Sequence, residues 1–142
     1  MDSPVLQNTI KLIGFQVVDI NFKLDPSCQL ISEFPEKEKL NIELNLGLGF
    51  NEEKKNNYTV SFDLKLNDSS SYIYLLIKSV AIFETKDPIT DEFKDSGFIK
   101  VNSPAIAFPF LRSFVNTLTA NAGINPIILP AFNFTKQETP QI

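Results

Sequence analysis

Between residues 40 and 50 every even position is apolar: Leu40, Ile42, Leu44, Leu46, Leu48 and Phe50 alternate with Asn41, Glu43, Asn45, Gly47 and Gly49. A period of two is that of a strand with one face buried. Tyr58, Val60, Phe62, Leu64 and Leu66 repeat the pattern, and the charged stretch NEEKKNN at 51–57 reads as the exposed hairpin loop between them. After a second turn cluster, NDSSS, the run YIYLLIKSVAIF behaves differently. Tyr72, Tyr74, Leu76, Val80 and Ile82 fall on one face, and Ile73, Leu75, Ile77 and Phe83 on the other. Both faces of this strand ask for cover. Burial is worth about 1.5–3 kcal/mol per large apolar side chain. The set Ile73, Leu75 and Ile77, taken as the outer one, is therefore expected to lie against another subunit.

The first strand, 10–24, changes phase. Ile13, Phe15 and Val17 hold odd positions; Val18, Ile20, Phe22 and Leu24 hold even ones. One extra residue near Val17 and Val18, a β-bulge, keeps them all on one face; a strand passing between faces gives the same pattern. Residues 84–100 carry Pro88, Gly97 and many charges and read as a loop. From Ser103 the period becomes helical: Ile106, Phe110, Phe114 and Leu118 stand four apart, with Leu111 and Val115 beside them. Ser103 and Pro104 suit a helix start, and NAG at 121–123 a stop. Pro109 implies either a kink or a regular helix beginning near Phe108. The expected architecture is α+β: a single domain over 1–142, a four-stranded antiparallel sheet followed by a long helix in the C-terminal half.

Composition removes most chemistry. The chain has 142 residues, no histidine and one cysteine, Cys28. Ser-His and Cys-His nucleophile pairs, imidazole metal ligands and thiolate metal sites are all excluded. No glycine-rich phosphate loop is present. Glu43 and Asp63 sit in the polar phase of their strands, and Asp87, Asp91, Glu92 and Asp95 lack the spacing of an EF-hand. The reading is a non-enzyme without metal or cofactor. Net charge is −4, which offers nothing to a phosphate backbone, so nucleic acid is not an expected partner. No run reaches the roughly 18 apolar residues of a membrane span, and the start MDSPVLQNTIK is unlike a signal peptide. A cytoplasmic setting without membrane insertion is expected.

The block FPFLRSFVNTL followed by NPIILPAFNF resembles the SecB family of protein-export chaperones. Phe108, Pro109, Phe110 and Arg112 match that family's helix motif; Asn133 and Phe134 match the end of its next segment at the same separation. IKLIGFQVVDINFKLDP looks like its first strand. The resemblance implies an ATP-independent holdase for unfolded polypeptides, working as a homotetramer in protein export. By position it implies a client groove of Ile31, Phe34, Ile82, Phe83 and Ile89, and it places the helix, with Phe110, Arg112 and Phe114, at subunit contacts. Departures concern export. Leu111 and Ser113 replace the family's small and acidic residues around the arginine. Leu76 stands where an acidic contact for the SecA motor is usual, and eight residues follow Phe134 where the family continues into an acidic, SecA-docking tail. SecA is left open as a partner. A SecB-like chaperone tied to a toxin–antitoxin pair, a carrier of small apolar ligands and an oligomeric adaptor without clients are the alternatives.

Overall fold

In the computed structural model, residues 8–26, Pro35 and residues 39–135 are described. Four antiparallel strands form one sheet: β1 (Ile10–Leu24), β2 (Leu40–Phe50), β3 (Asn57–Asp68) and β4 (Ile73–Thr85), ordered β1-β4-β3-β2. Two short helical turns follow, α1 (Asp91–Lys94) and a π-helical turn (Phe98–Asn102), and the latter runs directly into the long helix α2 (Ser103–Asn121). The segment read as a loop over 84–100 is thus partly helical. Thr90 explains the first turn, its hydroxyl accepting the Phe93 amide at 3.1 Å as an N-cap.

The alternation is obeyed strand by strand. Register places Leu12, Phe83 and Tyr58 side by side, and likewise Ile20, Ile77, Leu64 and Leu44, all on the face that α2 covers. In β1 the register shifts twice, between Leu12 and Gly14 and between Val17 and Asp19. The second shift is the expected bulge. The two skipped residues, Ile13 and Val18, are 46% and 59% exposed, while Ile10, Leu12, Phe15, Val17, Phe22 and Leu24 pack toward the core.

One face assignment is corrected. Ile73, Leu75 and Ile77 are 1%, 0% and 0% exposed within the single chain, because they lie on the covered face with Leu64 and Leu66 of β3. They offer no surface to a partner. The open face belongs instead to Tyr74, Leu76, Val80 and Ile82, all half-buried. The strand is apolar on both sides, so alternation alone could not say which side the helix takes.

Helix α2 packs on β1, β3 and β4. Its buried row is Ala107, Leu111, Val115 and Thr119, joined by Phe108, whose ring meets Phe62, Phe132 and Phe134 at 6.0, 5.1 and 5.7 Å. Ile106 and Phe110, two of the large apolar positions spaced four apart, are 42% and 49% exposed. The helix continues through Pro109, an exposed position, and ends before Gly123, whose φ of +91° is the left-handed conformation a glycine stop adopts. Ser103 does not cap. The residue before it, Asn102, is already helical, and the Ser103 hydroxyl donates back to the Phe98 carbonyl at 2.8 Å.

Thr119 closes the core. Its hydroxyl donates to the Val115 carbonyl and accepts the buried Ile127 amide, both at 2.8 Å, which pins the segment after the helix back against it. Thr119→Val keeps the shape and strands that amide. An unsatisfied buried donor costs about 1–3 kcal/mol, so the unfolding free energy from urea titration should fall by that amount with unchanged slope, whereas Thr119→Ser should stay near the parent.

Candidate functional site

β2 is an edge strand, and an unusual one. Its pairing with β3 runs from Leu40 to Phe50 without a register shift, so its outer edge is straight, and no strand among the described residues pairs with it. On the helix-side face Leu46, Leu48 and Phe50 remain 37%, 41% and 38% exposed. On the other face stand Gly47 and Gly49, where an added Cβ would lie 2.4 Å from the Ser61 hydroxyl and 2.6 Å from that of Thr59. The edge is therefore greasy on one side and smooth on the other. Natural sheets usually blunt such an edge with charge, proline or a bulge, and this one has none of the three between Asn45 and Phe50.

At the C-terminal end of β2 an open cleft of about 380 Å³ lies between the hairpin loop and α1, lined by Phe50, Glu52, Lys55, Ile89, Asp91 and Lys94 among others. Its floor is rigid. Phe50 stacks near Tyr58 (6.1 Å), Tyr58 stacks on Phe83 (5.1 Å), and the Tyr58 hydroxyl meets the Ser103 oxygen at 2.6 Å. Because the Ser103 proton is committed to Phe98, the phenol is the donor. Burial pushes the Tyr58 phenol up to about 12. Its ordinary value is near 10, so as pH rises past 10 the unfolded chain loses this proton first and the folded chain loses stability up to pH 12. Tyr58→Phe should cost about 1 kcal/mol at neutral pH and should flatten that alkaline loss in thermal melts.

Apolar side chains are also exposed at the opposite edge. β1 and α2 meet through Phe15 and Phe110, whose rings are 5.9 Å apart. The two elements keep Ile13, Val18, Ile20, Ile106 and Phe110 exposed. Arg112, on the same helix, lays its guanidinium over the Phe108 ring at 5.3 Å, and among the described residues its buried Nε has no hydrogen-bond partner. Phe114 is half-buried against the core.

Of the residues expected to line a groove, the three described ones do not gather in one place. Ile82 and Phe83 are neighbours in β4 and point to opposite faces; Phe83 is fully covered. Ile89 does border an open site, the cleft beside Phe50. Ile31 and Phe34 lie outside the described residues. Leu46, Leu48 and Phe50 were missed as site residues because strand order is not written in alternation: nothing in the run says that β2 lacks a neighbour on one side. Among the described residues no group of three or more His, Cys, Asp or Glu side chains is placed to hold a metal ion, and no helix is long and apolar enough to cross a membrane.

This sheet, helix and edge agree with a known family. The model of SecB, preprotein translocase subunit SecB, matches residues 6–137. The chain belongs to the SecB family. It is a family of chaperones and not of enzymes. Among solved structures, the chain resembles the Mycobacterium tuberculosis Rv1957 SecB-like chaperone, determined in complex with a ChAD peptide from the Rv1956 HigA1 antitoxin. That match has a TM-score of 0.65 at 12% identity and covers 86% of this chain and 88% of that one. A Streptococcus agalactiae protein of unknown function matches with a TM-score of 0.53 at 13% identity, over 87% of this chain and 98% of that one. In sequence, the uncharacterized protein MJ0357 of Methanocaldococcus jannaschii is 29% identical over 111 residues, 73% of this chain and 70% of that protein. The four-stranded antiparallel sheet with its C-terminal-half helix is the SecB-like fold.

Proposed function

We propose that this SecB-family chain is a nucleotide-independent holdase that takes an extended segment of an unfolded polypeptide along the outer edge of β2. The observation that carries the reading is the edge itself, an unbroken backbone ladder beside exposed Leu46, Leu48 and Phe50. A strand added there gains main-chain hydrogen bonds, which every sequence can make, and apolar contact at alternate side chains. Gly47 and Gly49 leave the other face free of bulk, so the intervening client residues are unrestricted. Such a surface accepts many partners. That Rv1957, of similar fold, was solved in complex with a peptide supports a peptide-holding role.

The working form is an oligomer, on the family's pattern a tetramer, joined through the β1 and α2 surface. The two bulges argue for that division of labour: they break the straightness of β1, which favours side-chain packing through Ile13, Val18, Ile106 and Phe110 over strand addition. SecA-dependent export draws less support. On the open face the acidic Asp19, Glu43, Asp63 and Glu84 are matched by Lys11, Lys23, Lys65 and Lys78, and Leu76 stands among them. Nor does the open cleft suit a carrier of small apolar molecules, which needs an enclosed cavity. The deciding experiment is suppression of aggregation of a chemically unfolded protein without nucleotide. Equimolar chain should slow the rise in light scattering; an unchanged rate would end the holdase reading.

A further inference from the structure

Helix α2 carries one charged side chain, Arg112, and it is the only arginine in the chain. Half-buried, it lays its guanidinium over the Phe108 ring, a contact that holds the cation in place and satisfies none of its N–H donors. Among the described residues nothing accepts a hydrogen bond from its buried Nε, and no carboxylate is ion-paired with the group. A buried donor left open is costly, most of all on a charged group, so the site calls for an anionic acceptor. Its surroundings point to the chain's own C-terminal segment. Phe108, which Arg112 covers at 5.3 Å, also meets the Phe134 ring at 5.7 Å, so the guanidinium and Phe134 have one ring as a common neighbour. Glu138 follows Phe134 by four residues and is the only acidic residue after it. Four extended residues reach roughly 13 Å, farther than the two ring contacts laid end to end. Residues 136–142 lie beyond those described.

We propose that Glu138 is this acceptor, and that the segment ending in it docks on α2. The carboxylate takes the Nε–H and an adjacent N–H side by side, the paired geometry that a planar guanidinium offers. Thr119 already ties the start of the closing segment to the helix through the Ile127 amide; Glu138 ties its end. Held at both ends, the segment keeps Phe132 and Phe134 against Phe108. The tail is then part of the subunit's own packing and not an arm offered to a partner. None of this depends on where clients bind.

With one arginine, the isotope-labelled full chain gives one Nε–Hε cross-peak in its NMR spectrum, and that peak reports the site directly. Glu138→Gln should move the peak and speed Hε exchange with water about tenfold, the scale of one hydrogen bond to a charged group. Glu92→Gln removes an exposed carboxylate of α1, the same change in net charge, and should do neither. Proteolysis reads the other partner. A glutamate-specific protease should cut after Glu138 about tenfold faster in Arg112→Met than in the parent, because cleavage follows the population of the released segment. Cleavage after Glu53, in the exposed hairpin loop, should keep its rate, which separates release from general loosening. An unmoved peak in Glu138→Gln or an equal response to Glu92→Gln would overturn the docked tail. Unchanged cleavage after Glu138 in Arg112→Met, or faster cleavage at both sites alike, would do the same. So would a peak that shifts on dilution of the parent, which would assign the acceptor to a second copy of the chain.

Discussion

Phe110→Asp should turn the protein into a monomer without unfolding it. Phe110 is 49% exposed in the single chain, with its covered side against Phe15. Much of the ring's apolar area is therefore still available for association, and aromatic anchors of this kind commonly cost 2 kcal/mol or more when lost from an interface. A carboxylate in its place adds the penalty of a buried unpaired charge, several kcal/mol. Each interface of the proposed assembly should weaken by well over about thirtyfold. Light scattering at micromolar concentration should fall from the oligomer mass to the monomer mass, while the core formed by Leu111, Val115 and Phe108 is untouched. An unchanged mass would move the subunit contact away from α2. Arg112 gives a second reading of the same surface. Its Nε is already covered within the chain, so Arg112→Met should alter assembly far less than Phe110→Asp.

How much of this was legible in the residues depends on which physical constraint each feature obeys. Strands β2 to β4 were readable because a period of two has few rivals over nine or more residues, and the bulge in β1 was readable because a phase change needs one extra residue. The side of β4 that the helix covers was not readable, since Ile73, Leu75 and Ile77 are no more apolar than Tyr74, Leu76, Val80 and Ile82. In α2 the spacing of large apolar positions did not say which row meets the sheet. Ile106 and Phe110 are larger than Ala107 and Thr119, but the small pair lets the helix sit close to the sheet, and Thr119 is needed for its hydrogen bonds. Burial here follows shape and polar satisfaction more than side-chain size. The edge status of β2 is a property of strand order, which no local pattern carries.

That edge is the basis of the second large effect. Leu48→Asp should abolish suppression of aggregation and leave the fold in place. Leu48 lies opposite Val60 in the ladder and is 41% exposed, between Leu46 and Phe50 on the same face. An inward-facing charge near the middle of an edge strand is how natural sheets refuse further strands: an added strand would bury the carboxylate, at a cost of several kcal/mol without a partner. In the free chain the same carboxylate reaches water, so the unfolding free energy should drop by no more than about 1 kcal/mol. At equimolar ratio the variant should let an unfolded client aggregate at its unassisted rate, while its mass stays that of the parent oligomer, because β1 and α2 are unaltered. Asn41→Asp supplies the control. Residue 41 is exposed on the open face of the same strand, opposite Asn67, so the same charge there should leave holding intact. If Leu48→Asp still holds clients as well as the parent, β2 is not the client surface. If Asn41→Asp abolishes holding equally, added charge rather than the inward-facing position of Leu48 accounts for the loss.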